Sequence, residues 1–218
     1  MNIKHHPDDA TLLAYAAGSL GEAASLVVAS HLAWCPGCRT TVRCAERLGG
    51  TLIDGMQAEP VSAGVLDRCL SALDDAPAAQ TPGTHTVAGD PALPTPLARR
   101  LGCPISQVRW KRVAPGIQLH DLHLSPACRG RLSLMRVATG RGVPEHGHSG
   151  SEITLVLSGS YTDRFGRFQP GDIADLDLDV EHDLRVDSAQ PCICLVAAES
   201  PIRFKGIIAR LMQPFIGI

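Results

Sequence analysis

A chain of 218 residues with 44% apolar and 19% charged side chains is long enough for two ordinary domains and apolar enough to bury a core, which excludes a disordered or fibrous polymer. Aromatic residues make up 4%, too few for the stacking platforms that single-stranded nucleic acid requires. The net charge of −2 is unevenly divided: residues 1–75 carry five basic against nine acidic side chains, and residues 98–218 carry fifteen against twelve. No basic stripe follows a phosphate backbone, so an acidic N-terminal part suits a basic protein partner better than nucleic acid. No run approaches the roughly 18 apolar residues of a membrane span, and the N-terminus lacks a signal-peptide pattern, so a cytoplasmic location without membrane contact is expected. There the eight cysteines meet a reducing environment, in which Cys-x-x-Cys reads as metal or redox chemistry sooner than as a disulfide framework.

In chain order, Asp8 or Asp9 can cap a first helix carrying Leu12, Leu13, Tyr15 and Ala16, which Gly18 closes. A second helix is predicted over 22–34. Pro36 stops it and suits the first turn of a third, with Val42, Ala45, Leu48 and Leu52 as its apolar residues. Ser62 can cap a fourth, whose apolar face is Val65, Leu66, Cys69, Leu70 and Leu73. Residues 1–75 thus read as a small all-α four-helix domain, with too little core to stand without a metal or a partner. Residues 76–97 hold five prolines and no periodicity, the composition of a linker. From 98 to 218 the period becomes two. In Ala174–Val186, Leu176, Leu178, Val180, His182 and Leu184 alternate with Asp175, Asp177, Asp179, Glu181 and Asp183, which predicts one strand with a solvated face. Further strands are predicted at 131–138, 152–158 and 192–198, with turns at Gly140, Gly142, Gly159, Gly166 and Pro170-Gly171. The fold class is therefore α+β in two domains, the second an antiparallel sandwich or barrel.

Two constellations carry chemistry. In the first, His31 and Cys35 lie one helical turn apart, and Pro36 sets Cys38 in the first turn of the next helix, where the positive end of the dipole favours a thiolate. A tetrahedral zinc site needs a fourth donor, and His5 or His6 is available. A Cys35–Cys38 redox pair is the alternative, but the thioredoxin arrangement needs a preceding strand, and here a helix precedes. A histidine near the N-terminus followed by H-x-x-x-C-x-x-C in a small helical domain resembles the zinc-binding anti-sigma factors. Lys4-His5-His6, Ala14-Tyr15-Ala16-Ala17-Gly18 and Ser25-Leu26-Val27-Val28-Ala29 narrow the likeness to the ChrR type. The resemblance implies zinc ligands His6, His31, Cys35 and Cys38, excludes His5, and implies an extracytoplasmic-function sigma factor as partner, bound one to one and kept from RNA polymerase.

In the second constellation, Gly140, His146, His148, Glu152 and Gly159 follow the spacing G-x5-H-x-H-x3-E-x6-G, which resembles the first metal motif of the cupin superfamily. Strand parity selects His182 as a third imidazole, because it shares a face with Leu176, Leu178, Val180 and Leu184. Three imidazoles and one carboxylate suit zinc or another divalent metal. The second cupin motif is altered, with Pro170 and Gly171 adjacent and His182 eleven residues beyond Gly171. The ChrR likeness continues through Asp172-Ile173, Glu181-His182, Cys192-Ile193-Cys194-Leu195 and Gln213-Pro214-Phe215. It implies a cupin-like, double-stranded β-helix barrel over 98–218 that holds a second zinc and is needed to respond to singlet oxygen. No acid–base set accompanies the four ligands, so no catalytic residue is expected and the chain reads as a transcription regulator that releases its partner on an oxidative signal. A metal-dependent cupin enzyme of dioxygenase type with an accessory zinc module is the alternative. Cys192 and Cys194 share one strand face and read as buried thiols, while Cys44, Cys69, Cys103 and Cys128 read as packing residues.

Overall fold

Local chemistry starts and stops each N-terminal helix. The computed structural model describes residues 2–74, 90, 93–128, 130–147, 150–176, 182–200 and 203–204. Helix α1 (Asp9–Ala16) begins where the Asp8 carboxylate accepts the Thr11 amide at 2.6 Å, so Asp8 is the cap. It ends at Gly18, whose φ of 69° is left-handed, with the Ser19 amide returning to the Ala14 carbonyl at 3.0 Å. Helix α2 (Glu22–Trp34) stops before Pro36, which becomes the first residue of α3 (Pro36–Asp54), with Cys35 as its cap. Helix α4 (Val65–Asp74) buries none of its residues, and the Ser62 hydroxyl ahead of it accepts from Arg68 Nη2 at 3.5 Å. Helix α5 (Thr95–Leu101) runs across residue 97, where the linker was expected to end, and Leu97 is fully buried.

Beyond α5 the chain is antiparallel β. Among the described residues six strands form one sheet in the order β1 (Lys111–Ala114), β2 (Ile117–Asp121), β3 (Arg131–Val137), β10 (Cys192–Ala198), β5 (Glu152–Ser158) and β8 (Ile173–Leu176). Five form the other, in the order β11 (Arg203–Phe204), β4 (Gly142–Gly147), β9 (His182–Val186), β6 (Tyr161–Asp163) and β7 (Gly166–Phe168). Between the sheets lies a core that includes Val143, Val156, Tyr161, Phe168, Leu176, Leu184, Cys192 and Cys194. A second core covers the outer face of the six-stranded sheet: Leu132, Leu134, Ile153, Leu155 and Leu195 meet Ala23 and Val27 of α2 and Leu97 of α5. Strand β5 is buried on both faces, which explains why it reads as an uninterrupted apolar run after Glu152 and Thr154 rather than as an alternation.

The two described ends of the alternating run 174–186 belong to different sheets. Residues Ile173–Leu176 pair with β5 in one sheet, whereas His182–Val186 pair with β4 and β6 in the other; Asp177, Leu178, Asp179, Val180 and Glu181 lie outside the described residues. The alternation persists on both sides because Ala174, Leu176, Leu184 and Val186 all face the same inter-sheet core. Two cysteine expectations also change: Cys44 and Cys69 are exposed, while Cys103 packs beside α2 and α5 as expected. Among the described residues no helix is long and apolar enough to cross a membrane.

Candidate metal centre

Three elements converge at the corner between α2 and α3. The last turn of α2 supplies His31, the break supplies Cys35, the first turn of α3 supplies Cys38, and the extended segment before α1 supplies His6. Their donor atoms all lie within 4.8 Å of one another, with His6 exposed and the other three buried. His31 Nε2 stands 3.3 Å from Cys38 Sγ, and His6 Nδ1 stands 3.5 Å from Cys35 Sγ and 3.4 Å from Cys38 Sγ. Zinc bonds of about 2.0–2.1 Å to nitrogen and 2.3 Å to sulfur, at a tetrahedral angle, put N and S donors roughly 3.6 Å apart. The donor set and its spacing fit zinc. The Cys38 amide also donates to Cys35 Sγ at 3.5 Å. Burial, chiefly, pushes the His31 imidazole down toward its neutral, metal-binding form. Burial and the neighbouring Cys35 thiol push Cys38 up to about 12.

The turn between β7 and β8 reaches into this corner. His31 Nδ1–H donates to the Gly171 carbonyl at 2.9 Å, which turns Nε2 toward the sulfurs. The Asp172 side chain is fully buried; its Oδ1 accepts the Lys4 amide at 2.6 Å and the His5 amide at 3.0 Å, and its Oδ2 accepts the Gln169 amide at 2.9 Å. The Ile173 amide donates to the His5 carbonyl at 3.2 Å. The His5 ring stacks on Phe168 at 4.1 Å. Neighbouring side chains of an extended segment point to opposite sides, so with His5 on the β7 aromatic it is His6 that enters the cluster. Gly171 and Asp172 figured in the sequence only as a turn and part of a likeness; no spacing rule points from residue 172 to residues 4 and 5.

The second predicted set is only partly visible. His148 lies outside the described residues, as do the side chains of His146 and His182. The backbone pairs His146 directly with His182 across β4 and β9. Glu152 opens β5, is 5% exposed, and accepts from Thr154 Oγ1 at 3.3 Å. Cys192 and Cys194 are buried with sulfurs 3.7 Å apart, as their parity predicts. The Cys192 contact and burial together push the Cys194 thiol up, and burial does the same to Tyr161, for which no motif or spacing gives a signal. Among the described residues, His6, His31, Cys35 and Cys38 are the group in which three or more donors converge.

Known proteins carry the same parts. A family described as the ChrR cupin-like domain matches residues 98–200, and a zinc-finger family matches residues 10–39. The chain is 38% identical to the anti-sigma-E factor ChrR of Cereibacter sphaeroides over 218 residues, the full length of both. The fold resembles the crystal structure of Rhodobacter sphaeroides SigE in complex with the anti-sigma ChrR at 36% identity and a TM-score of 0.78, covering 90% of this chain and 99% of that one. A helical, zinc-finger-type N-terminal region followed by a cupin-like β region, matched end to end, places the chain in the ChrR family of anti-sigma factors.

Proposed function

We propose that the chain is a cytoplasmic anti-sigma factor, a regulator and not an enzyme, that binds an extracytoplasmic-function sigma factor one to one and withholds it from RNA polymerase. One observation carries this reading. Leu48 and Leu52 on α3, and Leu66, Leu70 and Leu73 on α4, stand at helical spacing and are each at least half exposed. Apolar helix faces left to water mark a surface that a partner covers. The acidic excess of residues 1–75 complements the basic surface with which a sigma factor meets DNA. The relatives support the same partner: one is an anti-sigma-E factor, and the other was crystallised with SigE.

In this reading residues 1–75 hold the partner, residues 76–97 connect, and residues 98–218, as a double-stranded β-helix barrel, receive an oxidative signal such as singlet oxygen. His6, His31, Cys35 and Cys38 hold zinc, and His146, His148, Glu152 and His182 hold a second zinc or another divalent metal. Zinc at the first site supplies a crosslink between segments too small to bury their own faces. Around it, His6 ties the N-terminal segment to the helix corner, and His31, Cys35 and Cys38 fix the angle at which α3 presents Leu48 and Leu52. Release is a shift in population from the bound to the free state once the β region changes.

The test uses full-length protein and an extracytoplasmic-function sigma factor of the same host, with transcription and complex stoichiometry as readouts. A one-to-one complex and silenced transcription are expected. His31→Ala and Cys38→Ser should lose both zinc and silencing, while Glu152→Gln should keep silencing and blunt the response to singlet oxygen. Full-length protein that binds none of the host's sigma factors of this class would overturn the reading.

A further inference from the structure

The metal corner is built from residues 6–38, yet two of its four donors are set from outside it. We infer that Asp172, together with the Gly171 carbonyl, is a positioning element of the N-terminal metal centre, so that the β7–β8 turn of the β region sets the affinity of the helical region for its metal. This rests on the reading of His6, His31, Cys35 and Cys38 as zinc ligands.

Three features of the turn carry it. First, a buried carboxylate is costly unless its oxygens are satisfied. All three amides that Asp172 accepts belong either to its own turn, at Gln169, or to the two residues that immediately precede His6. The Gln169 contact orients the carboxylate, and the Lys4 and His5 contacts use that orientation to hold an extended segment that has no helix of its own. Second, the Gly171 carbonyl fixes the tautomer and ring plane of His31, the role that the outer partner of a metal-bound imidazole fills. Its aim depends on the φ of 95° at Gly171, which a residue with a side chain adopts only under strain. Third, the turn is clamped to the sheet: the Gly171 amide donates to the Val156 carbonyl at 2.9 Å, and the Val156 amide donates to the Asp172 carbonyl at 3.0 Å. Val156 sits in β5, the strand that Glu152 opens. One turn therefore contacts two metal-donor segments that are remote from each other in sequence and anchors both to the sheet.

The experiment loads full-length protein with Co2+ and reads the thiolate-to-cobalt absorption, to which, of the two proposed metal sites, only the Cys35–Cys38 centre brings sulfur. Zinc affinity then follows from displacement of the cobalt under chelator competition. Outer partners of metal ligands are worth about 10- to 100-fold in affinity, and Asp172→Ala is expected to weaken zinc by that factor and to shift the cobalt bands. Asp172→Asn keeps an oxygen for Lys4 and His5 but places an NH2 group against the Gln169 amide, so about threefold or more is expected there. If parent protein shows no thiolate band, the zinc reading itself fails. If the parent shows the band and a folded Asp172→Ala matches it within about twofold, the zinc reading stands and the positioning role is overturned. Should Asp172→Ala lose its β-sheet circular dichroism, Asp172→Asn decides, and parent-like affinity in that variant also overturns the role.

Discussion

Asp187 shows how one side chain ties together the edge of the five-stranded sheet. It accepts Ser160 Oγ at 2.5 Å, Thr162 Oγ1 at 2.9 Å and Arg167 Nε at 2.8 Å. These bonds, the Ser160 hydroxyl first, hold its carboxyl below the usual carboxylate range. A depressed folded value means that the ionised form stabilises the fold above the unfolded value, near about 3.9, and that this contribution is lost as pH falls through the folded value. Thermal melts should therefore show Asp187→Asn less stable than the parent near neutrality, with the gap closing as pH drops below about 4; a gap that does not depend on pH would assign the effect to shape and not to charge. At this scale the metal corner was largely legible. A four-residue step on one helix and a proline after it bring His31, Cys35 and Cys38 together by local geometry alone. The choice of His6 over His5 was not legible from spacing, because it depends on Phe168 offering a ring to one of two adjacent imidazoles. Asp172 was illegible for the same reason: its partners lie 167 and 168 residues away.

Among the elements, α3 beyond Val42 and the whole of α4 stand apart from the other helices because none of their residues is buried. Substituting Leu52→Glu or Leu70→Glu places a charge on a surface that is already exposed, so stability should change by no more than about 0.5 kcal/mol. Sigma-factor affinity should fall by about tenfold or more, the 1.4 kcal/mol and upward of a central contact. Titration calorimetry checks the second figure, and unchanged affinity in both variants would remove these faces from the interface. Periodicity revealed the stripes but not their exposure, since an amphipathic helix reads alike whether its face meets a core or a partner. Strands behaved similarly. The runs 131–138, 152–158 and 192–198 fall on β3, β5 and β10, because central strands carry continuous or alternating apolar residues that no helix period imitates. The run 174–186 preserved its alternation while changing sheets, and alternation reports which face is inner without reporting which sheet it belongs to.

Across the whole molecule, the helical and β regions share a core. Ala23 and Val27 of α2 and Leu97 of α5 pack with Leu132, Leu134, Leu155 and Leu195, so loss of one side uncovers the other. Leu97→Ala, at a fully buried position, should cost about 2–5 kcal/mol. It should also lower the temperature of zinc release and of β-sheet melting together, in one calorimetric transition; two separated transitions would contradict a shared core. The sequence marked the Pro-rich stretch and the change of period, but not the burial of Leu93 and Leu97 at its end, because isolated leucines among prolines carry no periodic signal.

The hydrogen bonds from Lys4 and His5 to Asp172 also order events during synthesis. His6 leaves the ribosome well ahead of the turn that steadies it, which is made more than 160 residues later. At about 5–20 residues per second, this leaves the nascent chain without its outer scaffold for on the order of ten seconds. During that interval the emerging helices expose the same apolar faces that the proposed function assigns to the partner. A sigma factor or a chaperone that meets the nascent chain then finds those faces before the metal corner is complete.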